Sequence, residues 1–155
     1  MIRFRFWNQI ARRYQPPGMY ALTGEDELLG RDERWDWDPN PTPLGKTVIT
    51  VEQFTGLLDN TGAEIYDGDI VSFVVPGITH GPEREEWTGL QVWYNEEDAC
   101  WAFGRWTGVK SETQESTYHW WFTMQDRLDK ASLRKLGNIH ENAELLTHAL
   151  VSPAS

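Results

Sequence analysis

A chain of 155 residues, 25% of them charged and 39% hydrophobic, is long enough to bury a core and too rich in apolar residues to be disordered throughout. Twenty-four acidic against 14 basic side chains leave a formal net charge of −10, which disfavours direct nucleic-acid binding and favours partners with a basic surface. No apolar run reaches the roughly 20 residues that a membrane-spanning helix needs, the N-terminus lacks a leader pattern, and the single cysteine, Cys100, excludes an internal disulfide, so a cytoplasmic protein without a membrane segment is expected.

Ile2, Phe4 and Phe6 alternate with Arg3 and Arg5, the period of a strand with one face in the core and one in water, ending near Asn8. The first 14 residues hold Arg3, Arg5, Arg12 and Arg13 and no acid. From 16 to 45 periodicity is weak and Pro, Gly, Asp and Glu abound, so this segment reads as an acidic surface insertion in a single domain spanning 1–155. "KTVITVEQF" reads as a strand, "DNTG" (59–62) as a turn with Gly62 in positive φ, and "AEIY" as the start of the return strand. A second turn at "YDGD" leads into "IVSFVV", with Ile70 or Val71, and Phe73, among the expected core residues. "LQVWYNEED" and "CWAFGRW" form a predicted hairpin, and "STYHWWF" a further aromatic strand. "MQDRLDKASL" suggests a helical turn or two with weak apolar spacing, and "ENAELLTHAL" a short C-terminal helix. Many short strands with little helix between them predict a mainly β fold, a small antiparallel barrel.

Three segments carry a family resemblance. "FTGLLDNTGAEIYDGDIVSF" resembles the central signature of the YopX family, "IRFRFWN" is similar to its opening strand, and "LGNIHENAELL" to its closing pattern, with His140 and Ala143 where Tyr and Pro are commoner. The resemblance implies a phage or prophage protein built on an SH3-like barrel; the long acidic insertion at 24–45 and the tryptophan-rich stretches near 87–122 depart from the family pattern, and the whole chain is expected as an SH3-like barrel with long loop insertions and a short C-terminal helix. It implies no general biochemical activity. The glycine-acid turns have a structural explanation: Asp67 and Asp69 flank Gly68, and their carboxylates suit backbone N–H donors.

Motifs for catalysis are missing: there is no phosphate-binding glycine loop, no His-Glu-x-x-His, no Gly-x-Ser-x-Gly and no cysteine pair for zinc. "DNTGAEIYDGDI" departs from a calcium loop at Thr61 and Ala63, where oxygen ligands are needed. His80, His119, His140 and His148 are scattered, and the separation of Cys100 from His119 does not suggest a nucleophile pair. No catalytic residue, cofactor or metal is expected.

Aromatic and acidic residues supply the binding candidates. Trp7, Trp93, Trp101, Trp106, Trp120 and Trp121 fall in predicted strands, and Trp120 and Trp121, being consecutive, point to opposite faces. Within 25–38, the carboxylates of Glu25, Asp26, Glu27, Asp32, Glu33, Asp36 and Asp38 accompany Trp35 and Trp37, opposed only by Arg31 and Arg34. These nine residues form the predicted partner-binding set, suited to a host or defence protein with a basic surface, which they would inhibit or redirect, as a nucleic-acid mimic does. Two alternatives stay open: a nucleotide or other small ligand stacked between Trp side chains with Arg3, Arg5 or Arg105 on its phosphates, and a structural, homo-oligomerising role.

Overall fold

The computed structural model describes residues 2–22, 28–31, 37–38, 48–76, 84–96, 99–106, 118–123 and 129–146; at 31, 37–38, 75–76, 84–85, 105–106 and 118–123 the description is of the backbone. Twelve strands follow in order among them: β1 (Phe4–Asn8), β2 (Arg13–Tyr14), β3 (Tyr20–Leu22), β4 (Leu28–Arg31), β5 (Trp37–Asp38), β6 (Ile49–Leu58), β7 (Glu64–Tyr66), β8 (Asp69–Pro76), β9 (Arg84–Asn95), β10 (Cys100–Trp106), β11 (Tyr118–Thr123) and β12 (Asp129–Asn138). A 3-10 turn at Ala143–Leu146 closes the described chain, at the place where a short C-terminal helix is expected. The fold is mainly β and antiparallel, as the sequence predicts. The chain forms two compact units, Met1–Phe54 and Thr55–Ser155, with the boundary inside β6.

In the first unit β1 lies between β2 and β6, with Phe6 opposite Val51 and Trp7 opposite Thr50. Phe6, Leu28 and Ile49 form its buried cluster, with Phe4, Tyr20, Leu22 and Val51 against it. Leu28 belongs to the segment expected as an aperiodic insertion, where β3, β4 and β5 make a small antiparallel sheet instead. The apolar residues there are too few and too interrupted by turns to reveal a strand period, and burial of Leu28 in that cluster anchors the strand. The opposite face of β1 is also not simply wet: Trp7 is 4% exposed and meets Tyr14 edge-on at 5.0 Å between ring centroids.

The second unit is organised on a five-stranded sheet in the order β11-β10-β9-β8-β12. Val71 and Phe73 of β8, Leu90 and Val92 of β9, Trp101 and Phe103 of β10, Ile65 of β7 and Leu133 of β12 make its core. Phe73 and Phe103 meet edge-on at 5.4 Å, a geometry that adds to the burial of each ring. Ile70 and Ser72, on the other face of β8, are buried too, as is Ala102 of β10. A strand covered on both faces explains why "IVSFVV" reads as an almost unbroken apolar run. Ile70, Val71 and Phe73 are all core residues, as expected.

The expected helical turns in "MQDRLDKASL" are not found over its described part, where β12 runs from Asp129 and pairs with β8. The Ser132 hydroxyl explains part of the difference: its Oγ donates to the Asp129 carbonyl and accepts the Val74 N–H at 2.7 Å, stitching the two strands at an irregular register. Such a cross-strand bond has no signature in local spacing.

Candidate functional site

The glycine-acid stretch from Phe54 to Val75 concentrates the polar chemistry of the second unit. Asp59, 8% exposed, follows β6 directly and folds the next turn around its own carboxylate. Oδ1 accepts the Thr61 N–H at 2.8 Å, the Thr61 hydroxyl at 2.7 Å and the Ala63 N–H at 2.9 Å. Oδ2 accepts the Lys135 N–H from β12 at 3.1 Å. Burial alone pushes this carboxyl up, but the bonds from the Thr61 hydroxyl and from the Lys135, Ala63 and Thr61 N–H groups outweigh it and hold the pKa at about 2. Gly62 completes the turn with φ of 88°, the left-handed value that the sequence anticipates.

Asp69 repeats the device one turn later. Its side chain is fully buried, Oδ2 accepts the Tyr66 N–H at 2.8 Å, and the same oxygen lies 2.9 Å from Lys135 Nζ. Between Tyr66 and Asp69, Gly68 takes φ of 79°, donates to the Val92 carbonyl and accepts from the Ile139 N–H. Lys135 thus ties both acidic turns to β12, through its backbone at Asp59 and its ammonium group at Asp69, with a further contact to the Glu64 carbonyl at 3.3 Å. These carboxylates accept hydrogen bonds that hold turns in place, and Asp59 has spent both oxygens on such donors.

The closing motif has the same character. Asn138 Oδ1 accepts the His140 and Glu141 N–H groups, each at 3.0 Å, while Asn138 Nδ2 donates to Glu141 Oε2 at 2.7 Å. A Cβ at Gly137 would overlap the Asn142 side chain, which accounts for glycine before Asn138. In the first unit Glu52, 2% exposed, accepts Arg5 Nε at 2.6 Å and the Tyr14 hydroxyl at 3.0 Å, and the Arg5 guanidinium lies 4.5 Å from the Tyr14 ring centroid. Arg3 stacks over Phe54 at 4.2 Å. The arginine face of β1 is therefore a packed polar and aromatic layer, where alternation alone predicts solvent. The signal for it was available in "YQ" and "VEQ", but the pairing that joins them is tertiary.

Among the described residues no group of three or more His, Cys, Asp or Glu side chains is placed to hold a metal ion. Cys100 is a half-buried free thiol at the start of β10. His119 has its backbone in β11, and His80 and His148 lie outside the described residues. Of the predicted partner-binding set, Glu25, Asp26, Glu27, Asp32, Glu33, Trp35 and Asp36 lie outside the described residues; Trp37 and Asp38 form β5, with Trp37 opposite Arg31 and Asp38 opposite Gly30. Trp7 and Trp101 are buried, which commits both indoles to packing.

The residues overlooked by a reading of the motifs are at the β1–β2 turn. Asn8 pairs with Arg13, so residues 9–12 form the loop, and Ile10 at its tip is 65% exposed. An asparagine followed by a short run into two arginines is the local signal for it. Among the described residues no helix is long and apolar enough to cross a membrane.

Comparison with known proteins bears on the family. No curated protein matches the chain. Among solved structures it is similar to protein EF1440 from Enterococcus faecalis, at 17% identity and a TM-score of 0.48, over 94% of this chain and 98% of that one. The family described as "YopX protein" matches residues 3–147, a span that includes the opening strand, both acidic turns and the Asn138 motif, and the chain accordingly belongs to the YopX family.

Proposed function

We propose that this chain is a non-enzymatic, phage-encoded accessory protein of the bacterial cytoplasm that binds a basic surface on a host protein, a defence or nucleic-acid-handling component, and inhibits or redirects it. The observation that carries this reading is the distribution of charge. Residues 15–155 hold 24 acidic and 10 basic side chains, a net of −14, of which Thr55–Ser155 carries −9, against four arginines and no acid in residues 1–14. Asp59 and Asp69 are engaged inside the fold, whereas Glu86 and Glu96 face solvent on and beside β9. A field of that sign raises the encounter rate with a basic surface and competes with phosphate for it. Residues 25–38, with seven carboxylates and two tryptophans, are the proposed point of contact, the acids steering association and the indoles supplying the energy that resists dissociation. The experiment is capture from host lysate across a salt series. A defined protein retained at low salt and released at high salt supports the reading, and a nucleotide absorbance band that copurifies with the chain in place of a protein overturns it.

A further inference from the structure

The turn between β1 and β2 is held by side-chain hydrogen bonds and presents an apolar side chain beside arginines. Asn8 Oδ1 accepts the Ile10 N–H at 3.0 Å and the Ala11 N–H at 2.8 Å, which pins the near side of the loop. Arg12 closes the far side with φ of 50°, a left-handed conformation that glycine or asparagine adopts with less strain. Arg12 stands two residues from Ile10 and Arg13 follows it; both are exposed, as is Ile10 at 65%. Phosphate chains would satisfy the arginines and offer Ile10 nothing. Its complement is a protein surface with an exposed ring beside a carboxylate.

This chain carries such a surface itself, in the acidic unit Thr55–Ser155. Near the end of β9, Tyr94 is 46% exposed and lies edge-on to Trp101 at 5.3 Å, with exposed Glu96 two residues further on. We infer that the β1–β2 turn docks on the β9 end of a second copy, with Ile10 against the Tyr94 ring and Arg12 and Arg13 toward Glu96. The contact joins two different surfaces, so association runs head to tail and continues from copy to copy unless a ring closes. Residues 25–38 play no part in this contact, which stands or falls apart from their role with a host partner.

The test is sedimentation of the full chain over a range of concentrations and ionic strengths. The average mass of the wild type rises with concentration at low salt and falls as salt is added, because the charged contacts are screened. The variant Ile10→Ser/Arg12→Glu/Arg13→Glu loses the turn's contribution, and its self-association weakens by about tenfold or more, as for removal of a central contact. Tyr94→Ser/Glu96→Lys loses the other half with the same result, and Glu96→Lys alone separates charge from any packing change at Tyr94. Mixed, the two multiple variants form a one-to-one dimer, since each supplies the half that the other lacks. A wild type that stays monomeric at all concentrations overturns the proposal. So does a turn variant that associates like the parent, or a mixture that fails to pair where the wild type associates. Capture of a labelled DNA duplex by a monomeric wild type, lost in the turn variant, would assign the turn to phosphate instead and overturn it as well.

Discussion

Lys135 Nζ on β12 lies 2.9 Å from Oδ2 of Asp69, a side chain with no exposure at the head of β8, while the Lys135 ammonium stem is 26% exposed. One end of this pair is dry and the other reaches water, so removing the lysine takes the ammonium partner from a buried carboxylate that also accepts the Tyr66 N–H. Breaking a buried pair from one side costs about 3–5 kcal/mol, far more than an exposed pair contributes. Lys135→Met is therefore expected to destabilise by roughly that amount, and Asp69→Asn/Lys135→Met by less than the sum of the single changes, with a coupling of about 1–3 kcal/mol in a denaturant cycle. Additive losses would mean that the two side chains act independently.

Asp59 titrates into the stability of the fold. Its folded pKa, about 2, lies below the ordinary value of 3.8, so the ionised form is favoured by folding. The stability it contributes is fully present above pH 4 and is lost as the pH falls through 4 toward 2. With solvent screening at the turn, the amount is on the order of 1 kcal/mol. Asp59→Asn is expected to flatten the acid limb of stability measured by thermal unfolding, and Asp59→Ala to cost about 2 kcal/mol at neutral pH by orphaning the Ala63 and Lys135 N–H groups. An unchanged acid limb in Asp59→Asn would assign that limb to other carboxylates.

Gly68 sits at φ of 79° with both backbone groups bonded. Gly68→Val is expected to cost about 1–3 kcal/mol, and Gly68→Asn less, because asparagine tolerates the left-handed region. Equal losses in the two variants would point to crowding by any side chain at this site, not to backbone strain.

With no catalytic role assigned to them, Cys100→Ala, His119→Gln and His140→Gln are each expected to leave partner capture intact, with changes confined to melting temperature. Loss of function in His119→Gln at an unchanged melting temperature would indicate a chemical role for that ring.

Surface kinetics against a captured partner separates the two parts of the acidic segment. Trp35→Ala and Trp37→Ala are expected to speed dissociation by about 2 kcal/mol equivalent each if both are central contacts. Asp36→Asn/Asp38→Asn is expected to slow association and reduce its salt dependence with little effect on dissociation. If all three variants bind as the parent does, the contact lies elsewhere on the protein.

Several elements were legible in the residues themselves. Alternation in "IRFRF", the turn chemistry of Asp59–Gly62 and Asp67–Gly68, and the apolar run of β8 are local patterns, and each corresponds to an element in the structure because strand period and turn φ preferences act over a few residues. The sequence also determined the charge and its uneven distribution, which need no fold to be counted. Only the tertiary structure decided that Lys135 serves both acidic turns, that Glu52 gathers Arg5 and Tyr14, and that Leu28 anchors a strand within an otherwise polar segment. Each of these depends on residues distant along the chain, whose pairing is set by strand register and by the cost of leaving a buried polar group without a partner. The segment from 129 shows the difference most plainly: its weak helical spacing yields to the ladder with β8, where Leu133 is wholly buried and Ser132 reaches across to Val74, a gain that no local pattern along the chain records.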